Sequence, residues 1–215
     1  TSETVTRAQF HEYAEGLALH DNFPAMDTIN YAEYVTPAGR PAFERRMRAE
    51  QAANPALPLA GAIRPNGKDL ARVRESHCVV TFIEPSSPTT TAFGLDLHTN
   101  AYVEKIMLAT RDTGKMMNSG TPILAISAPN QVYLGLRLPV YQPGAALDSV
   151  DQRRAAYRGS VGIAFSVPHL MQGVLAEMPV HNVRMTLLDQ SIPDPTGAPA
   201  RPDDRLRHDA GTARK

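Results

Sequence analysis

Apolar positions recur at helical spacing over residues 4–20, where Val5, Phe10, Tyr13, Leu17 and Ala18 share a face. Asp21-Asn22-Phe23-Pro24 stops that segment, and a second helix is predicted over Met26–Tyr34. In "TPAGRPAFERRMRAEQAANP", Pro41 suits a first helical turn and Phe43 and Met47 fall on one face. Glu44/Arg48 and Arg46/Glu50 are spaced for side-chain pairing, and Pro55 and Pro58 close the helix. A loop rich in Pro and Gly reaches Lys68. The period then changes to two. "HCVVTFI" (77–83) reads as a strand stopped by Pro85-Ser86-Ser87-Pro88. "TAFGLDL" (91–97) alternates, with Phe93, Leu95 and Leu97 on one face and Ala92, Gly94, Asp96 and His98 on the other.

"TNAYVEKIMLATRDTG" returns to helical spacing. Thr99 or Asn100 can cap it, Val103, Ile106, Met107 and Thr110 line one face, and Gly114 stops it. "PILAISA" (122–128) and "VYLGLRLPVY" (132–141) read as a hairpin, with Tyr133, Gly135 and Arg137 sharing a face. A loop over 142–152 carries the expected internal boundary, at 147/148. Beyond it come a strand at 159–167, a short helix from Pro168, a strand at 183–189 and a polar, Pro-rich tail. Strands that cluster in hairpins rather than alternating with long helices give an α+β class with largely antiparallel sheets.

Composition narrows the function classes. The 22 basic residues balance the 22 acidic ones, so no basic stripe points to nucleic acid and no polybasic run to a membrane surface. A single cysteine, Cys78, excludes an internal disulfide and a multi-cysteine zinc site. Ser160 in "RGSVG" lacks the spacing of a hydrolase nucleophile elbow. "DTGKMM" has Met116 where a phosphate loop needs Ser or Thr, and no G-x-G-x-x-G follows a strand. The start at Thr1 and the polar tail read as edges of a longer chain, expected to lie between two transmembrane helices.

Asp96 is the residue that local pattern explains least. Ala92 and Gly94 beside it, and Gly135 between Tyr133 and Arg137, are too small to fill the space above them. Small residues around a polar group describe a small-molecule pocket. A buried carboxylate also needs a partner, so Asp96 could instead pair with Arg137 or cap the following helix near Thr99. A metal-dependent enzyme or metal-binding protein using Asp96 and His98, completed by His77, His169 or His181, is the alternative class. Phe82 and Tyr133 could wall a pocket or simply be core. Arg137 could hold a carboxylate or carbonyl of a ligand, or neutralise Asp96.

In order along the chain, "FIEP", "FGLDL", "ATRDTG", "LGLRLPVY" and "YRGSVGIAFSVPHL", with "PAFERRMRAE" upstream, resemble the CHASE domain. That family is the extracytoplasmic sensor of cytokinin-receptor histidine kinases and many bacterial receptors. The resemblance spans about Phe10 to Asp189. It implies a helical stalk (1–35), a membrane-distal, ligand-binding PAS-like domain (36–147) and a membrane-proximal one (148–215). It also implies that Asp96, the acid of the Leu-Asp motif, accepts hydrogen bonds from a purine-type, cytokinin-like ligand. Thr113 matches a position needed for binding in plant members, and Ser127 a hydroxyl-bearing one. Asn118 stands where an apolar residue gives a backbone contact.

The resulting expectation is a non-enzymatic, periplasmic or extracellular input domain of a membrane-anchored histidine kinase or cyclic-di-GMP enzyme. It would bind a small molecule, carry no cofactor or metal, and dimerise through its N-terminal helices. Its binding set is Asp96, Ser127, Asn118, Thr113, Phe82, Tyr133, Gly135 and Arg137.

Overall fold

Met26–Val35 is a strand, β1, and not the helix its composition suggests. The computed structural model describes residues 5–56, 63–65, 76–86, 92–118, 123–124, 132–176, 186–187 and 206–207. In β1, Ile29 and Tyr31 pack on one side of a sheet, while Asn30 and Ala32 are buried on the other. That is a two-residue period whose second face is small and polar, so it escapes a search for apolar alternation.

β1 lies at the centre. β3 (His77–Glu84) pairs on one side of it and β8 (Tyr157–Ser166) on the other, both antiparallel. The sheet continues past β3 to β4 (Leu95–Asp96) and β2 (Arg64–Pro65). Past β8 come β7 (Val132–Tyr141) and β5 (Met117–Asn118), with β6 (Ile123–Leu124) also on β7. The β2–β4 pair is parallel and the others are antiparallel. The β6–β7 pairing, Ile123 to Tyr133 and Leu124 to Val132, is the described part of the expected hairpin. The expected boundary at 147/148 falls between two adjacent strands, because β7 and β8 form one ladder. A separate two-stranded ladder joins β9 (Thr186–Leu187) to β10 (Leu206–Arg207).

Helices cover both faces. On one, α1 (Arg7–Gly16) buries Phe10 and Ala14 against Ile29, Tyr31, Phe82 and Val161. Thr6 and Gln9 form a reciprocal cap at its start. Val5 and Tyr13, expected on its buried face, are exposed. After α2 (Leu19–Asn22) and β1, α3 (Arg40–Ala53) packs Phe43 and Met47 on Val35 and Val79 of the same face. Glu44 takes both Arg40 and Arg48. The expected Arg46/Glu50 pair gives way to longer-range ones: Arg46 reaches Glu33, and Arg7 ties α1 to Glu50.

On the opposite face, α4 (Ala101–Thr113) lays Ile106, Met107 and Thr110 inward. Asn100 accepts from the N–H groups of Tyr102 and Val103, and Gly114 closes the helix. Met107 meets Ala32, Cys78, Val80 and Leu97. The short α5 (Val150–Ala156) is tied to α4 by Arg154, which pairs with Asp112 at 2.6 Å. Helix α6 (Val167–Ala176) follows β8 and packs Met171 with Leu134.

Candidate functional site

The strand predicted over 91–97 is interrupted. Gly94 adopts φ 78°, β4 keeps only Leu95 and Asp96, and Leu97–Thr99 turns into a 3-10 helix. Asp96, Leu97 and His98 are therefore all buried, so the predicted alternation does not hold. Asp96 caps that turn: its Oδ1 accepts from the His98 N–H at 3.1 Å and from the Cys78 N–H at 3.0 Å. Its Oδ2 lies 2.7 Å from Nδ1 of His77. Arg40 reaches the far nitrogen of that ring, Nε2, at 3.4 Å. Burial pushes the Asp96 pKa up, but the bonds from His77 and from the Cys78 and His98 N–H groups outweigh it. The carboxyl is held below its ordinary value. Both oxygens are engaged within the chain and the residue is 1% exposed, the geometry of a structural carboxylate. Of the two structural roles expected for Asp96, the cap next to Thr99 forms and the Asp96–Arg137 pair does not; His77 takes the place of Arg137.

Arg137 belongs to a different constellation. Strand register sets Arg137 of β7 opposite Gly162 of β8, and Gly162 opposite Asn30 of β1. The guanidinium lies across Gly162 and donates from Nη1 to Asn30 Oδ1 at 2.7 Å. A methyl group on Gly162 would overlap Nη1 and Cζ, so the glycine makes this path possible. Around the row, the same face carries Thr28, Ala164, Gly135 and Ser160. Tyr34, Tyr157 and Tyr141 close one end, with ring centroids 5.1 Å apart for Tyr34–Tyr157 and 6.2 Å for Tyr141–Tyr157. The Tyr141 hydroxyl donates to the Arg111 carbonyl of α4 at 2.5 Å.

The Cys78 thiol and the Tyr157 phenol lie near the Arg137 guanidinium. Burial raises the pKa of both, that of Cys78 to about 12, so both are neutral near pH 7. Burial likewise pulls the Arg137 pKa down, yet a guanidinium keeps its proton in proteins. Cys78 should accordingly be inert. Labelling by a thiol reagent should be at least about 10³-fold slower in the folded than in the urea-unfolded chain, since the thiolate is the nucleophile. Equal rates would place Cys78 in contact with solvent.

The predicted binding residues are thus only partly gathered. Tyr133, Gly135 and Arg137 share the α4-facing side of β7. Asn118 is half-buried on the neighbouring β5, paired with Leu136. Thr113 is exposed at the end of α4, its hydroxyl donating to the Ala109 carbonyl at 2.7 Å. Phe82 points to the other face, between Phe10 and Tyr31. Ser127 lies outside the described residues. Asn30 and Gly162 were missed; a glycine between small residues on a strand facing an arginine was their only signal. Among the described residues no cluster of three or more His, Cys, Asp or Glu is arranged to hold a metal. His98 packs its ring on Tyr34 and Asp96 turns to His77. His169 lines an open cavity of about 520 Å³ between α1, α2, the start of β1 and the end of β3. There His11 Nδ1 lies 3.0 Å from Glu84, and none of the predicted binding residues reaches it.

Residues 3–199 match the family model of the CHASE domain. The chain belongs to the CHASE family. A comparison with curated proteins returns no match. CHASE domains are extracytoplasmic sensor and input domains of signalling receptors and are not catalytic. A CHASE domain therefore needs a face that can receive a signal, and the polar row under α4 stands out. Helix α4 otherwise packs against an apolar cluster, and a core rarely buries a cation without a carboxylate.

Proposed function

We propose that this CHASE domain is the extracytoplasmic, small-molecule-binding input of a membrane receptor whose output is a histidine kinase or a cyclic-di-GMP enzyme. The observation that carries the reading is the α4-facing side of the sheet. Thr28, Asn30, Gly135, Arg137, Ser160, Gly162 and Ala164 put polar and small groups where a purely structural core would be apolar. A purine-type ligand reading Asp96 would have to displace His77 or two backbone N–H groups. The proposed ligand face is therefore centred on Arg137. In this reading β8 completes a membrane-distal PAS-like unit, and the membrane-proximal unit begins at α6.

Dimerisation through α1 has support in two exposed apolar side chains, Val5 just before the helix and Tyr13 on it. A Tyr13→Cys variant of the full-length receptor tests place and assembly together, because native Cys78 is buried. A membrane-impermeant maleimide should label it on intact cells, and oxidation should yield a disulfide-linked dimer. Labelling only after lysis would contradict the extracytoplasmic placement. A monomer under oxidation would contradict the helix-mediated dimer.

A further inference from the structure

We infer that the ligand of the α4-facing side of the sheet is a small carboxylate anion held by Arg137, an inference that rests on the ligand face proposed above. Arg137 is 8% exposed and, among the described residues, makes one side-chain hydrogen bond, from Nη1 to Asn30. Asn30 is neutral, and so are the nearby Cys78 thiol and Tyr157 phenol, whose pKa values burial raises. Asp96 supplies no compensation; it is consumed by His77, Cys78 and His98. A buried cation without a counter-ion is costly, so its retention calls for an anion that the described chain does not provide.

The fork that remains selects the anion. With Nη1 committed to Asn30, the Nε and Nη2 edge is left, one of the two edges on which a guanidinium grips a carboxylate with parallel hydrogen bonds. The guanidinium itself covers Gly162, and Gly135 and Ala164 on the same face add no competing polar side chain. Neutral N–H-rich heterocycles offer this edge only weak acceptors, whereas a carboxylate matches it in charge and in geometry.

Three variants and one probe set test the inference on the 215-residue protein. Thermal midpoints are measured with acetate, succinate and benzoate, each against its amide, and with adenine. At least one carboxylate should raise the midpoint saturably while its amide does not. Arg137→Met should abolish that shift; Arg137→Lys should raise the half-saturating concentration at least tenfold. Asn30→Asp supplies an internal counter-ion of the same shape. It should raise the ligand-free midpoint and suppress the carboxylate response. A lower midpoint for Asn30→Asp would show that the guanidinium charge is already balanced and would overturn the inference. Adenine or the amides stabilising the protein in an Arg137-dependent way would overturn the carboxylate while sparing the ligand face. No stabilisation of the parent protein by any carboxylate would overturn the inference, and stabilisation that survives in Arg137→Met would overturn the ligand face as well.

Discussion

Asp96→Ala should unfold on the order of 10 °C below the parent protein. The substitution leaves His77 without its carboxylate and orphans the N–H groups of Cys78 and His98 on a corner that is almost fully buried. Breaking one side of a buried pair costs about 3–5 kcal/mol. For a chain of this size each kcal/mol shifts the midpoint by roughly 2–4 °C. Asp96→Asn should be milder, since its amide oxygen can still accept from both backbone groups while the charge facing His77 is lost. The acid limb carries a second signature. The folded pKa of Asp96 lies below its unfolded value near 3.8, so its contribution is present above that pH and fades as pH falls through the folded value. The stability difference between parent and Asp96→Ala should therefore shrink on acidification below about pH 4. A near-neutral Asp96→Ala with a lost ligand response would reverse the assignment and return Asp96 to the ligand.

Gly162→Ala should have the second largest effect, through Arg137. The added methyl overlaps Nη1 and Cζ and stands 2.9 Å from Nε, so the guanidinium must leave its path to Asn30. Overpacking of this kind costs about 1–3 kcal/mol, and the lost hydrogen bond to a charged group about 1.5–3 kcal/mol. Moving the guanidinium away relieves the overlap, so the two costs do not add in full and the net is about 3 kcal/mol. The cost should be non-additive with Arg137→Met, because removing the guanidinium removes the collision. Denaturant unfolding of the two single variants and the double variant measures this coupling. Strict additivity would mean that the guanidinium does not lie across Gly162 in solution.

How far the sequence carried depends on which physics acted. Helices α3 and α4 were legible because their signals are local: Pro41 in a first turn, Asn100 as cap, Gly114 as stop, and Phe43/Met47 and Ile106/Thr110 at helical spacing. β1 was illegible for the reason that makes it interesting. Its α4-facing side carries Thr28, Asn30 and Ala32, which read as polar although Asn30 and Ala32 are buried. The burial of Asp96 could be read from its neighbours, but its partner could not. His77 reaches it because β3 pairs with β4, with Val79 opposite Asp96, whereas Arg137 is drawn across Gly162 to a residue 107 positions away. Phe82 shows the same limit: a strand aromatic has two faces to choose from, and here it joins Phe10 and Tyr31. Family resemblance carried the sensor class, which no single motif in the chain specifies.

The most direct measurement is a titration followed by NMR on the labelled protein, reading the Arg137 Nε–H and the methionine methyl groups. Met107 lies on the α4-facing side with Cys78 and Ala32, and Met47 on the opposite side with Phe43 and Val79. With succinate, benzoate and adenine added in turn, a ligand of the proposed face should move the Arg137 Nε–H and the Met107 methyl along one saturable curve while Met47 stays still. Shifts confined to His11 and its surroundings at the open cavity, or saturable binding that leaves Arg137 and Met107 unmoved, would contradict the account.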